Sequence, residues 1–357
     1  MSYKTESHDL IIQLKKLQEA LGRTPTAAEF LGSFVGSLGA LRQHFGTYEK
    51  LVAAAGILSK SEKVDQDPRL ILQMEKQFKK ICSTKTQIQG FFLEELDLGE
   101  IFQRAGNPEV IKLVGQPDTH LKFVDARAYL AYKKFIKWYR PDVDLMFGDY
   151  LDCEGISHWP TDSLEPRRMV PEILLGRKDL QNKVDITPTT TTRIYLEGNH
   201  EAWLQQALAR MPEFFEGIDQ LGYDFSLNGL LGLNKLGYSL FPVNHLLRIG
   251  KAHFTHGIYT GNNHAKKHMS AFKCNIYYGH LHDNQVYNET SIYGNLEAAA
   301  MGCLSRLDAK FLRGKPNNWT HGFGVWEFFP DGNYTRTFIP IFNGRCSYNG
   351  VVFDGNI

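Results

Sequence analysis

Five apolar runs of this chain end on side chains able to hold a divalent cation. IKLVGQP leads into Asp118-Thr119-His120, and DLMFG into Asp149 and, one loop later, Asp152. RIYLEG leads into Asn199-His200-Glu201, AHFT into His256, and IYYG into His280-Leu281-His282. Alternate residues of an extended segment point the same way, so Asp118 with His120, and His280 with His282, can each face one point. The five ends offer carboxylate, carboxamide and imidazole groups and no thiolate, which suits Mn, Fe, Zn, Ni or Mg. Singly, each piece has an ordinary reading as a surface loop, a strand face, or a turn at Gly198-Asn199 in which Glu201 starts a helix. Together, each behind a strand-like run, they favour a site, because ligands in open α/β sheets gather at the carboxyl ends of strands.

The elements that must position these residues begin near residue 109. EVIKLVG, VDLMFGD, RIYLEGN, LLRIGKAHFTHG and NIYYGH read as strands, mostly separated by helical stretches such as FVDARAYLAYKKFIKWYR and EAWLQQALARM. Strands alternating with helices predict α/β layers. VWEFFPDGNYTRTFIPI adds a hairpin around Pro330-Asp331-Gly332-Asn333.

The first 58 residues differ. Ile11, Leu14, Leu17 and Leu21 keep helical spacing up to Gly22, and three further short helices end near Gly32, Gly46 and Gly56. Short helices joined by glycine-containing turns suit a helix-turn-helix-like all-α unit. The sequence thus divides into a helical module (1–58), a linker with a connector helix (59–108) and an α/β domain (109–357).

Composition adds bounds. Of 357 residues, 43% are hydrophobic and 22% charged, and a net charge of +1 provides no chain-wide attraction to nucleic acid or membrane. Cys82, Cys153, Cys274, Cys303 and Cys346 are scattered, without a Cys-x-x-Cys pair, which predicts reduced thiols. No apolar run approaches the roughly 20 residues that span a bilayer. The expectation is a soluble, cytoplasmic protein.

Asp118-x-His120, Gly148-Asp149-x-x-Asp152, Gly198-Asn199-His200-Glu201, His256-Gly257 and Gly279-His280-x-His282 together resemble the calcineurin-like metallophosphoesterase superfamily. The resemblance covers about residues 109–305. It implies a four-layer αββα sandwich with two divalent metal ions, manganese the first choice. Asp118, His120 and His282 would bind one ion, Asn199, His256 and His280 the other, and Asp149 would bridge them. By the same resemblance a metal-bridging hydroxide attacks the phosphorus, His200 protonates the leaving oxygen, and Asp152 orients His200. Ser/Thr protein phosphatases carry arginines where this chain has Cys153 and Glu197, so that activity is not expected.

Other histidines and arginines receive plainer readings. His321 is assigned to a turn or to packing, and His264 with His268 to a helix surface. His158, just after the Gly-Asp loop, reads equally as a substrate contact or as a packed or solvated side chain, and Arg167 with Arg168 reads first as a solvated loop and second as a phosphate contact.

In the N-terminal module, Gly22-Arg23-x-Pro25-Thr26, Leu41-Arg42-x-x-Phe45-Gly46 and Ala54-x-Gly56 resemble the homing-endonuclease-associated repeat, a small DNA-binding unit. That likeness implies DNA contacts from Arg23, Arg42, Gln43 and His44. Pairing this module with a phosphoesterase also resembles bacteriophage-encoded enzymes, which implies a host cytoplasm. The leading expectation is a phosphodiesterase acting as a DNA-directed nuclease. A phosphomonoesterase for nucleotides or DNA ends is the alternative, and a non-catalytic DNA-binding protein the third.

Overall fold

The structure is a computed structural model describing residues 7–21, 25, 30, 51, 82–88, 91–157, 168–210, 224–292, 294–309 and 314–356. The chain divides into two compact units, residues 1–73 with 211–224, and residues 74–210 with 225–357. In the first, helix α1 (Ser7–Leu21) buries Leu10 and Leu14, two members of the predicted helical stripe or its extension. Arg23, Arg42, Gln43 and His44 lie outside the described residues, as do the 59–69 linker and the connector helix expected over 70–81.

The second unit is built on two mixed sheets. In the six-stranded sheet, β3 (Ile111–Gln116), β4 (Val143–Met146), β5 (Thr192–Leu196) and β6 (Tyr238–Phe241) run parallel. The hairpin β12 (Gly322–Phe328) and β13 (Tyr334–Pro340) adds antiparallel to β3, its turn opened by Gly332 at φ +80°. Helix α2 (Leu98–Arg104) leads toward β3, α3 (Ala126–Tyr139) connects β3 to β4, and α4 (Met169–Ile186) connects β4 to β5, as parallel pairing requires, while the short α6 (Leu227–Leu231) precedes β6.

The seven-stranded sheet runs in the order β1-β2-β7-β8-β9-β11-β10. Its strands are β1 (Cys82–Ile88), β2 (Phe91–Leu96), β7 (His245–Ile249), β8 (Ala252–Thr255), β9 (Ile276–Tyr278), β10 (Val286–Ser291) and β11 (Gly294–Ala300). Two sequence expectations are corrected here. LLRIGKAHFT forms two antiparallel strands, because Gly250 at φ +55° turns the chain between Ile249 and Ala252. The stretch before residue 109 is more than a connector, since β1 and β2 form a hairpin and β2 pairs parallel with β7. The polar CSTKTQI of β1 carries no apolar run to advertise it.

The sheets share one core. Leu113, Leu145, Ile194 and Phe241 from the six-stranded sheet meet Leu247, Phe254, Tyr277 and Ala299 from the other, with Trp326 fully buried among them. Each large apolar side chain so buried contributes about 1.5–3 kcal/mol. On the outer face of the six-stranded sheet, Tyr132, Phe135 and Ile136 of α3 cover Val114, Phe323 and Val325. On that of the seven-stranded sheet, Ala265 and Met269 of α7 (His264–Phe272) cover Leu246, Ile276 and Ala298. No helix among the described residues is long and apolar enough to cross a membrane.

Candidate metal centre

Strand ends from both sheets converge on one buried cluster. Asp118 and His120 follow β3, Asp149 and Asp152 follow β4, and Asn199 and His200 open α5 (Asn199–Ala209) after β5. His256 follows β8, while His280 and His282 follow β9. The paired histidines do not converge by strand alternation, because β3 ends at Gln116 and β9 at Tyr278. Left-handed backbone aims them instead, at φ +40° for His120, +69° for His280, +62° for His282 and +45° for Asp149. Side chains other than glycine rarely take such angles, and clusters of them mark functional sites.

Three groups of side chains each bring one donor atom per residue within 4.8 Å of one another: Asp118–His120–His282, Asp149–His256–His280 and His120–Asp149–His200. In the first, His120 Nε2 lies 3.1 Å from His282 Nε2, which is 3.1 Å from Asp118 Oδ2. Asp118 is held by the backbone N–H of His280, at 2.9 and 2.8 Å to its two oxygens. In the second, His256 Nε2 lies 3.3 Å from Asp149 Oδ2 and 3.0 Å from Asn199 Oδ1, while its Nδ1–H donates to the Phe147 carbonyl at 2.8 Å. Asp149 Oδ2 is 3.9 Å from both His120 Nε2 and His200 Nε2, so this carboxylate stands between the groups. The donors are oxygens and imidazole nitrogens on buried or half-buried side chains, and that set fits borderline divalent ions.

Electrostatics point the same way. Burial opposes charge on His120 and His256, yet neighbouring carboxylates outweigh it. Asp152 and Asp149 raise His120 to about 9, and Asp149 with Asp118 raises His256 to about 10. Burial likewise opposes charge on Asp149, but His256, His200 and His120 hold its carboxyl well below the usual range. Burial, aided by His256, pushes His280 down to about 4. Carboxylates favour positive charge on His120 and His256, and a divalent ion held there would compete with those protons.

The part expected of Asp152 is divided in the structure. Its carboxylate meets His120 Nδ1 at 3.0 Å and stands 3.6 Å from His200 Nδ1, whereas its backbone carbonyl accepts the His200 Nδ1–H at 2.7 Å. Carbonyl capture fixes the tautomer and aims His200 Nε2 at the cluster. Burial is the main influence lowering the His200 pKa. Arg168 is exposed at the start of α4, in keeping with a solvated loop, and His158 and Arg167 lie outside the described residues. His321 bridges to Cys303 and its Nε2 meets the Ser305 carbonyl at 2.8 Å, as a packing residue would.

Sequence reasoning missed the role of Glu201. This fully buried carboxylate accepts from the backbone N–H of Gly198 (3.1 Å), Asp149 (3.0 Å) and Leu151 (2.9 Å), and from Tyr195 OH (2.8 Å). It ties the Gly-Asp loop to the Gly-Asn-His-Glu turn, and burial raises its pKa to about 7. A Cβ on Gly198 would run into Asp149, so only glycine lets the two loops touch. The signal was present: Glu201 stands three residues past Gly198, the spacing of a helix-start carboxylate reaching back.

The surface reading of His264 and His268 is overturned, for they are 2% and 0% exposed. His264 meets Tyr278 OH at 2.8 Å through Nδ1 and Asp283 Oδ2 at 2.9 Å through Nε2. His268 donates from Nδ1 to the His264 carbonyl (2.8 Å), and its Nε2 accepts from the backbone N–H of Ile258 (3.1 Å) and Tyr259 (3.4 Å). Helix α7 folds down onto the sheet, so the face carrying both rings turns inward. From there it grips the segments that follow His256 and His282.

Residues 6–58 match the family model of the homing endonuclease associated repeat, the span in which the sequence showed that likeness. No curated protein matches the chain.

Proposed function

We propose that the chain is a two-metal phosphoesterase of the calcineurin-like type, with an αββα sandwich, that hydrolyses phosphodiester bonds in DNA. The observation carrying this reading is the pair of donor triads, Asp118–His120–His282 and Asp149–His256–His280, with Asp149 of the second lying 3.9 Å from His120 of the first. When bound, two divalent ions supply a nucleophile from water near neutral pH and neutralise charge on the phosphoryl oxygens. Manganese is the first ion to test. Asn199 Oδ1, 3.0 Å from His256 Nε2, completes the oxygen donors of the second set.

The chain's own residues then divide the remaining work. Asp152 orients His120 through its carboxylate and His200 through its carbonyl. With Nδ1–H committed to that carbonyl, Nε2 is the atom of His200 that exchanges protons with substrate. An anionic phosphoester beside the ring raises its pKa and favours Nε2–H, which passes to the leaving oxygen. Glu201 keeps the Asp149 and His200 loops in register. The repeat match over residues 6–58 favours DNA as the polymer. Cys153, Cys274, Cys303 and Cys346 are free thiols, which supports a reducing cytoplasm, such as that of a phage host, as the working compartment.

The test uses full-length protein loaded with Mn²⁺, end-labelled DNA, and the chromogenic diester and monoester of 4-nitrophenol. Cleavage of DNA and diester, lost in His200→Ala and sharply weakened on removal of residues 1–58, is the expected result. Turnover of the monoester alone would replace this reading with the phosphomonoesterase. Full metal occupancy with no turnover of any substrate would leave the non-catalytic DNA-binding protein.

A further inference from the structure

A buried polar chain runs from helix α4 to the turn that carries Asp118 and His120. It starts at Asp144 within β4 and Lys183 near the end of α4, neither of them exposed to solvent. The Lys183 ammonium lies 3.0 Å from Asp144 Oδ2, and Tyr238 OH donates to the same oxygen at 3.2 Å. A buried ion pair is a weak source of stability, since apolar side chains of similar volume often serve as well. What sets this pair apart is where the ammonium makes its next bond. Lys183 donates to Gln116 Oε1 at 2.6 Å, Gln116 Nε2 donates to Thr119 Oγ1 at 2.8 Å, and Thr119 Oγ1 donates to the Pro117 carbonyl at 3.0 Å.

An ammonium only donates and a carbonyl only accepts, so each link of the chain has one possible direction. Lys183 draws the amide oxygen of Gln116 toward itself, which turns the amide N–H to Thr119. Thr119, having accepted, keeps its own hydrogen for Pro117. The chain thus closes on the two residues that flank Asp118. Gln116 and Thr119 are 1% and 0% exposed, so water does not compete for these bonds. The same turn is tied to the Gly-Asp loop by backbone, because the N–H groups of Thr119 and His120 both donate to the Asp149 carbonyl, at 3.1 and 2.9 Å.

We propose that Lys183 is a positioning residue for the Asp118–His120–His282 donor set. Through Gln116 and Thr119 it fixes the turn in which His120 takes its left-handed φ of +40°, and so sets how tightly that donor set holds an ion. The proposal rests on the two-metal reading above. The second set, Asp149–His256–His280, has supports of its own, Glu201 on the Asp149 N–H and the Phe147 carbonyl on His256. The influence of Lys183 should therefore be confined to one ion.

The experiment titrates EDTA-treated, full-length protein with Mn²⁺ in a calorimeter and reads the affinity of each site. Lys183→Met is combined with Asp144→Asn so that no charge is left buried alone. This double variant should bind one ion about 10-fold to 100-fold more weakly and the other as the parent does. Thr119→Val should do the same, whereas Thr119→Ser, which keeps the hydroxyl, should bind nearly as the parent. Adding Thr119→Val to the double variant should cost no more than the larger of the two losses, because both changes break one chain. Unchanged manganese affinities in variants that melt earlier would overturn the proposal and leave Lys183 a packing residue. Equal weakening of both sites, or losses that simply add, would overturn it as well. Where the double variant does not fold, Thr119→Val against Thr119→Ser decides alone. A parent that binds neither Mn²⁺ nor Zn²⁺ would sink the two-metal reading itself, and the positioning role with it.

Discussion

Two buried histidine clusters lie side by side in this protein, and their hydrogen bonds separate them. In the pair on α7, every ring nitrogen of His264 and His268 already has a protein partner: a tyrosine hydroxyl, a carboxylate, a carbonyl, or two backbone N–H groups. In the candidate centre, His120 Nε2 faces His282 Nε2, and His256 Nε2 faces two oxygens. Nitrogens that converge on one another or on carboxylates gain most from a cation among them, whereas saturated nitrogens gain nothing. Residue type cannot make this distinction. His264 and His268 sit at i, i+4 on a helix, a spacing that metal sites use, yet they serve as a brace.

The largest break in that comparison should come from the shared carboxylate. Asp149→Ala is expected to remove both ions and bring turnover to background, with metal content read by atomic emission. His200→Ala should lower kcat by about 10²–10⁴ while metal content stays intact, as befits a proton donor. Loss of metal from His200→Ala would move His200 into the ligand set, which the third donor group, His120–Asp149–His200, makes a real outcome.

Much of the site was legible in the sequence because donors fell at the ends of apolar runs, and strand ends are where this architecture gathers ligands. The seven expected ligands all lie in the cluster. What stayed hidden was tertiary. The left-handed angles at His120, Asp149, His280 and His282 follow from the approach of facing loops, not from any local preference of histidine. The inward turn of His264 and His268 depends on α7 seating Ala265 and Met269 against the sheet. Glu201 looked like an ordinary helix-start residue because two of its four donors, Asp149 and Leu151, are about 50 positions away in sequence. The β1–β2 hairpin escaped notice because β1 is polar, so its pairing with β2 had no hydrophobic signature.

A smaller effect tests the brace. His268→Leu removes the acceptor for the Ile258 and Tyr259 N–H groups, just past His256. Affinity for the ion held by His256 should fall by about 10-fold to 100-fold, the usual cost of losing a group that positions a ligand. His268→Gln, whose carbonyl oxygen can accept in place of Nε2, should recover part of it. Calorimetric titration with Mn²⁺ reads both. A variant that melts earlier yet binds manganese as tightly as the parent would reduce His268 to packing.

The smallest effect separates the clusters by pH. In metal-free protein His120 and His256 are raised to about 9 and 10, above the roughly 6.5 of an unfolded histidine. The native state therefore binds more protons between those values, and stability must fall as pH climbs from about 6.5 toward 10. Bound metal displaces the same protons, so metal-loaded protein should lose that slope and metal affinity should rise with pH across the window. His268 has the opposite sign. Burial pushes it down to about 4, so its contribution is present above about 6.5 and is lost as pH falls toward 4. Because His268 is committed to protein partners, the acid-side loss should be similar with and without metal. Melting temperatures of EDTA-treated and Mn²⁺-loaded protein, taken from pH 5 to 9.5, should draw apart steadily as pH rises, with the His268 loss toward pH 5 added to both curves. Parallel curves throughout would mean that the converging histidines are as saturated as the pair on α7, and the contrast between the two clusters would be lost.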